Sequence, residues 1–282
     1  MSCILVAPLS RAGGVSITGI DLSKPLPPTS REHLVEAFRD YSYLVFPEQR
    51  LSREEQFKFV ANFGKIEAHG SAGAQAKRYE TAHVISNLDR DGNPVDRSSS
   101  PVSNYRWHTD KAYYSAPPML TALYAVELPP CGGDTEIANT AMGYAALPED
   151  TKRLIAGLRV VFYWGAGARN SDDPAVLPAE RQQTPVDHPL VRTHPEAGRK
   201  ALYLGNHASH ILGMPEAEGR ALLDELLTHT TRPEFVYIHR WRVGDLLLWD
   251  NRCLLHRAVA NYDIARYRRV LHRSVVSGTV PF

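Results

Sequence analysis

Residues 104–110 read Asn-Tyr-Arg-Trp-His-Thr-Asp. In an extended segment, residues i and i+2 point to the same face. His108 and Asp110 can therefore offer one imidazole and one carboxylate to the same metal ion. A second histidine, His256, follows the apolar run 246–249. A strand there could carry it beside the first pair if two sheets pack face to face. Two histidines and one carboxylate on one face of an octahedral ion leave positions open, the arrangement of non-haem Fe(II) oxygenases. A bidentate 2-oxo acid and O2 would fill those positions. Taken alone, His-x-Asp is a weak signal, because a histidine is more often a hydrogen-bonded structural residue than a ligand. A zinc hydrolase with the same ligand types also stays open, but it needs a general base near the metal, and the sequence has no His-Glu-x-x-His.

A second group lies near the C-terminus, where Arg268, Arg269 and Arg273 fall in a strand-like run. Residues i and i+4 on a strand share a face, so Arg269 and Arg273 align, with Leu271 between them. Inward arginines are costly in an apolar barrel unless each meets an anion. Three solvated surface charges are the plain alternative. Gly132-Gly133-Asp134-Thr135 is a turn signal, whatever else it does. His207 and His210 form His-x-x-His, read here as structural, or as packed behind the ligands, because a three-ligand set is complete without them.

The elements that must position these residues are mostly short strands. Residues 14–19 predict a strand, and 43–46 a buried one. Further strands are expected at 83–86, 121–128, 158–164, 201–204, 235–240, 245–249 and 270–276. Ser30 is the expected cap of a helix over 31–40, with Leu34, Val35 and Phe38 as its apolar face. Ser52 and Glu55 form a capping box for a second helix, whose apolar positions are Phe57, Phe59, Val60 and Phe63. A third helix runs from about 215 to 229 with proline at its start. Polar, glycine-rich stretches near 64–103 and 169–188 predict loop insertions. Many short strands with a few helices point to an antiparallel sandwich or jelly roll.

Composition excludes several classes. The 282 residues are 43% hydrophobic, enough for one large core, and no linker divides them. Net charge is +1 with no basic stripe, which argues against nucleic acid or an anionic membrane as partner. There is no signal-peptide pattern and no run near the roughly 20 apolar residues of a membrane span. Three scattered cysteines, Cys3, Cys131 and Cys253, read as plain thiols rather than a disulfide framework. A cytoplasmic homo-oligomer is expected.

Four segments carry a resemblance: WHTD (107–110), GGDTEIAN (132–139), VRTHPEAGRKALYLGNHASHILG (191–213) and WDNRCLLHRA (249–258). Together they resemble the TauD/TfdA family of Fe(II)- and 2-oxoglutarate-dependent dioxygenases, leaning to the 2,4-dichlorophenoxyacetate dioxygenase branch, over nearly the whole chain. The resemblance implies a single domain over residues 1–282. It also implies a mainly β fold with flanking helices around a double-stranded β-helix (jelly-roll, cupin-like) core. It implies that His108, Asp110 and His256 hold Fe(II). Arg269 would pair with the distal carboxylate of 2-oxoglutarate, and Thr135 would donate its hydroxyl to the same group. Arg268 is the fallback, because the spacing from His256 is slightly longer than in the taurine enzyme. Trp249 would wall the cosubstrate pocket. Arg273 and His69 would bind the acidic group of the substrate, and Asn104 and Trp164 would line its pocket. Ala72 and Ala208 stand where the taurine enzyme has aromatics, implying a larger substrate: an aryl or alkyl group bearing a carboxylate, sulfonate or sulfate ester. The expected reaction is hydroxylation by O2, with succinate and CO2 released and an ether, C–S or C–O bond often cleaved. A hydroxylase of taurine or another small acid is the alternative, and a non-catalytic jelly-roll binding protein is a further one.

Overall fold

The computed structural model describes residues 4–67, 83–99, 104–166 and 184–282. In chain order the first strands are β1 (Leu5–Ser10), β2 (Gly13–Thr18), β3 (Tyr43–Phe46), β4 (His83–Ser86) and β5 (Leu120–Glu127). Next come β6 (Thr135–Asn139), β7 (Arg159–Phe162), β8 (Val186–Pro189), β9 (Val191–Thr193) and β10 (Lys200–Leu202). The last are β11 (Ala208–Ile211), β12 (Val236–His239), β13 (Leu246–Asp250), β14 (Leu254–Ala258) and β15 (Val270–Val276).

The most apolar runs become the middle of one large sheet, ordered β1-β2-β3-β13-β5-β15-β4. Period-2 alternation gives this sheet two buried faces. Leu246 and Leu248 of β13 pack outward with Leu34, Phe38, Phe59 and Val60 from two helices, α1 (Pro28–Tyr41) and α2 (Arg53–Val60). Leu247 and Trp249 point the other way, into a core shared with Ile137 of β6 and Leu254 of β14. Those strands belong to a small sheet, β12-β6-β14. Two sheets packed over a common interior form the β core expected from the sequence, and the active-site candidates lie between them.

The capping box of α2 forms as expected, with the Glu55 amide donating to Ser52 Oγ and the Ser52 amide to Glu55 Oε2. Phe59 and Val60 are buried, while Phe57 and Phe63 are half-buried. Ser30 is not a cap. The helix begins at Pro28, whose missing N–H and fixed φ suit the first helical position. Leu34 and Phe38 face the sheet, but Val35 is exposed. The third expected helix is present as Glu216–Thr230, with Pro215 ahead of it. Two short helices, α3 (Thr140–Ala145) and α4 (Glu149–Ile155), were not anticipated. The first is capped by Asn139 Oδ1, which accepts from the Met142 amide. With them, the third expected helix becomes α5. Much of the two expected loop insertions, and Cys3, lie outside the described residues. Cys131 is an exposed free thiol and Cys253 a buried one. Among the described residues, no helix is long and apolar enough to cross a membrane.

Candidate active site

His108 and His256 are joined by backbone pairing. The His108 amide donates to His256 O (3.1 Å), and the His256 amide donates to His108 O (2.8 Å). His256 sits in β14, but no strand runs through 108–110. His108 makes only an isolated bridge, and Asp110 stands at a turn, followed by Lys111 at φ 49°. Asp110 nonetheless reaches the same spot, while Thr109 between them turns its hydroxyl to Asn251 O. The ligand atoms of His108, Asp110 and His256 all lie within 4.8 Å of one another. His256 Nε2 is 3.8 Å from Asp110 Oδ1, too long for a hydrogen bond.

The protonation states suit a cation. Burial pushes both imidazoles below their ordinary value, His256 furthest, so each keeps a lone pair at neutral pH. His108 Nδ1 lies 2.7 Å from Arg106 O, an acceptor only, so the proton sits on Nδ1 and Nε2 is the free donor atom. Burial opposes ionisation of Asp110, but Arg273, His256 and His108, with the Thr121 hydroxyl, hold its carboxyl well below the usual range. Two neutral imidazoles and one carboxylate, buried together, fit an Fe(II) ion.

A cavity opens over this group. His108, Asp110, His256, Asn104, Thr135, Trp249, Arg269 and Arg273 all line it, with Ile85 and Leu123 supplying apolar wall. Arg269 is buried at its far side. Its Nε donates to Gly133 O (2.8 Å) and its Nη2 to Thr135 Oγ1 (3.3 Å). Gly133 has φ 71°, and a Cβ there would come within 3.2 Å of the Arg269 side chain, so the glycine turn is what lets this carbonyl reach the guanidinium. Arg268 points away, to Glu127 Oε2 at the surface (3.0 Å), which removes it as the fallback for a pocket role.

Thr135 Oγ1 also accepts from Trp241 Nε1 (2.9 Å). Both of its partners can only donate, so the hydroxyl hydrogen is left for an acceptor in the cavity. A carboxylate beside Arg269 is such an acceptor. Nothing in the sequence singled out Trp241. Arg273 Nη2 forms an ion pair with Asp110 Oδ1 at 2.7 Å. Trp249 lays its ring against His256, centroids 4.5 Å apart.

Among the described residues, Trp164 and Ala208 are not part of the cavity lining given above. Trp164 stacks on His207 (centroids 5.0 Å), and His207 stands between it and His108. Burial, with His108 adding to it, pushes His207 down to about 3. Ala208 is buried in β11 within a separate apolar cluster, so its small size does not enlarge this cavity. His69 and Ala72 lie outside the described residues. A second buried group, His194, Asp250 and Cys253, also has ligand spacing. There Asp250 is already taken by His194 Nε2 (2.9 Å) and Arg252 Nη2 (2.7 Å), and burial pushes the Cys253 thiol up to about 11. It is an internal ion-pair cluster.

A profile of the taurine catabolism dioxygenase TauD, TfdA family matches residues 5–275. The chain is 40% identical to the alpha-ketoglutarate-dependent 2,4-dichlorophenoxyacetate dioxygenase of Cupriavidus pinatubonensis, over 96% of each. It is 32% identical to the (S)-phenoxypropionate/alpha-ketoglutarate-dioxygenase of Sphingobium herbicidovorans, over 97% of this chain and 94% of that protein. The crystal structure of AAD-2 in complex with Mn(II) and N-oxalylglycine superposes with a TM-score of 0.86 at 34% identity, covering 99% of this chain and 98% of the other. With the sequence, the fold and the His-Asp-His group in agreement, this chain belongs to the TauD/TfdA family of dioxygenases.

Proposed function

We propose that this protein is an Fe(II)- and 2-oxoglutarate-dependent dioxygenase that hydroxylates an organic anion, with aryloxyalkanoates as the first substrate class to test. The observation that carries the proposal is the joint placement of His108, Asp110 and His256 on the floor of a cavity whose wall holds Arg269 and Thr135. In this reading the three floor residues hold the iron. Arg269 and the free Thr135 hydrogen bind the distal carboxylate of 2-oxoglutarate, a charge-assisted pairing suited to a guanidinium fork. Arg273 takes the acidic group of the substrate, and Asn104 at the mouth supplies a further polar contact. Trp249 excludes water behind His256. Iron and 2-oxoglutarate together supply the oxidation, in which O2 gives one oxygen atom to succinate (with CO2 released) and the other to the substrate.

Hydroxylation of a carbon bearing an ether oxygen gives a hemiacetal, which collapses and frees the phenol. The same logic covers sulfate esters and sulfonates, which release sulfate and sulfite. The chain reads as one catalytic domain, a reading supported by the family match across residues 5–275. The names of the relatives support the aryloxy class. The test is substrate-dependent succinate release over a panel of aryloxyacetates, aryloxypropionates, alkyl sulfates and sulfonates, with taurine as the small-acid control. An anaerobic titration with Fe(II) and 2-oxoglutarate should also give a weak visible charge-transfer band. No band and no succinate with any acid would overturn the reading.

A further inference from the structure

Asp110 has two carboxylate oxygens, and the structure treats them differently. Oδ1 faces His256 Nε2 and Arg273. Oδ2 accepts from the hydroxyl of Thr121, a fully buried residue on β5. Thr121 Oγ1 in turn lies 3.0 Å from Asn251 Nδ2, and Asn251 Oδ1 lies 3.0 Å from Trp249 Nε1. Thr121 and Trp249 are cross-strand partners in the β5–β13 ladder. Asn251 continues that ladder through its amide to Met119 O (2.8 Å), and its own carbonyl accepts from Thr109 Oγ1 (2.8 Å). Every member is buried.

The direction of this chain of hydrogen bonds is fixed by one atom. An indole N–H can only donate, so the group of Asn251 that meets Trp249 must be the carbonyl oxygen. The amide NH2 then faces Thr121 and donates to it. Thr121 has one hydrogen, and with its oxygen already accepting, that hydrogen goes to Asp110 Oδ2. An ionised carboxylate can only accept, so the far end agrees with the near end.

We propose that Trp249, Asn251 and Thr121 form a polarised relay of positioning residues that commits Asp110 Oδ2 to a hydrogen bond and presents Oδ1 alone to the metal. This rests on the iron site proposed above and assigns that site a supporting shell. The ring of Trp249 backs His256 while its N–H starts the relay to Asp110, so one residue orients two of the three ligands. A carboxylate free to turn both oxygens to the ion would occupy a position the cosubstrate or O2 needs. Partners of this kind typically govern metal affinity about 10–100-fold.

The probe is Mn(II), an air-stable stand-in for Fe(II), titrated into the full chain with free Mn(II) followed by electron paramagnetic resonance. Thr121→Val should weaken binding about 10–100-fold, while Thr121→Ser, which keeps the hydroxyl, should bind like the parent. Trp249→Phe keeps a ring against His256 but removes the N–H. It frees the Asn251 amide to invert, accept the Thr121 hydrogen and withdraw it from Asp110. It should therefore weaken Mn(II) binding as Thr121→Val does, although it lies three groups away. The double variant should bind no more weakly than Thr121→Val alone, whereas independent packing defects would multiply. Parental affinity in Trp249→Phe overturns the relay even if Thr121→Val fails to fold, and so does a multiplicative double variant. A parent that binds Mn(II) but turns over no acid overturns the proposed function and leaves the relay judged on affinity. A parent that takes up no Mn(II) overturns both.

Discussion

Arg273 Nη2 lies 2.7 Å from Asp110 Oδ1, so the inward arginine of the last strand has an anionic partner inside the protein itself. On sequence grounds a substrate anion was needed to keep that charge from being buried alone. The structure alters the premise but not the direction. Once Asp110 gives its charge to a metal ion, Arg273 is left beside a cation and turned to the cavity, where an acid group is its natural partner.

Arg273→Ala should therefore erase the preference for acids. The parent should turn over an aryloxyacetate far better than its methyl ester. The variant should lose that preference roughly thirty-fold or more, the equivalent of about 2 kcal/mol. Substrate-stimulated succinate release on matched acid and ester pairs measures it. Equal turnover of acid and ester by the parent would make Arg273 a structural partner of Asp110 only.

Arg269→Ala should raise the KM for 2-oxoglutarate tenfold or more, because it removes one side of a buried, charge-assisted pair. Arg268→Ala should leave KM unchanged, since its bond to Glu127 is on the surface, where such pairs contribute little. Initial rates at varied cosubstrate settle the matter, and a larger effect from Arg268→Ala would reverse the assignment.

The division between what was legible in the sequence and what was not has physical causes. The apolar runs at 43–46 and 245–249 read as strands, and they form the middle of the large sheet. Arg269 and Arg273 both line the cavity, as i, i+4 alternation leads one to expect, although Arg269 lies just ahead of β15. At 108–110 the same rule brings His108 and Asp110 together although the segment is only an isolated bridge that runs into a turn. Ser30 is not the cap because the helix starts two residues earlier, at Pro28, whose fixed φ suits the first helical position. Trp241, Thr121 and Asn251 were missed because their importance lies in cross-strand registers set by tertiary pairing. Ala208 was placed on the pocket by analogy, and only packing could show that it faces another core.

Asp110→Ala and His256→Ala should each abolish Fe(II)-dependent succinate formation, since each removes one of three protein donors. The anaerobic charge-transfer band with Fe(II) and 2-oxoglutarate should vanish with the activity. Circular dichroism on the same samples checks that the fold persists. Undiminished succinate from either variant would break the ligand assignment.

Asp250→Asn should destabilise the fold by about 3–5 kcal/mol without touching the cavity. Asp250 Oδ1 accepts from the Arg252 amide (2.9 Å) and Nε (2.8 Å). Its Oδ2 accepts from Arg252 Nη2 (2.7 Å) and from His194 Nε2 (2.9 Å), whose Nδ1 is engaged by the Ala197 amide. An asparagine would set an NH2 group against donors and leave Arg252 buried with only Glu196 as a charge partner. The pH dependence follows from the same contacts. Burial would raise this carboxyl, but Arg252 and His194 outweigh it and hold it below the ordinary 3.8. A depressed folded-state pKa means the stabilisation is full above the ordinary carboxylate value and is lost as pH falls through the folded one. The gap in unfolding free energy between parent and variant, from urea titrations, should be constant between about pH 8 and 5 and should shrink below about 4. A gap that persists or widens in acid would mean that the Asp250 charge is not what holds His194 and Arg252 together.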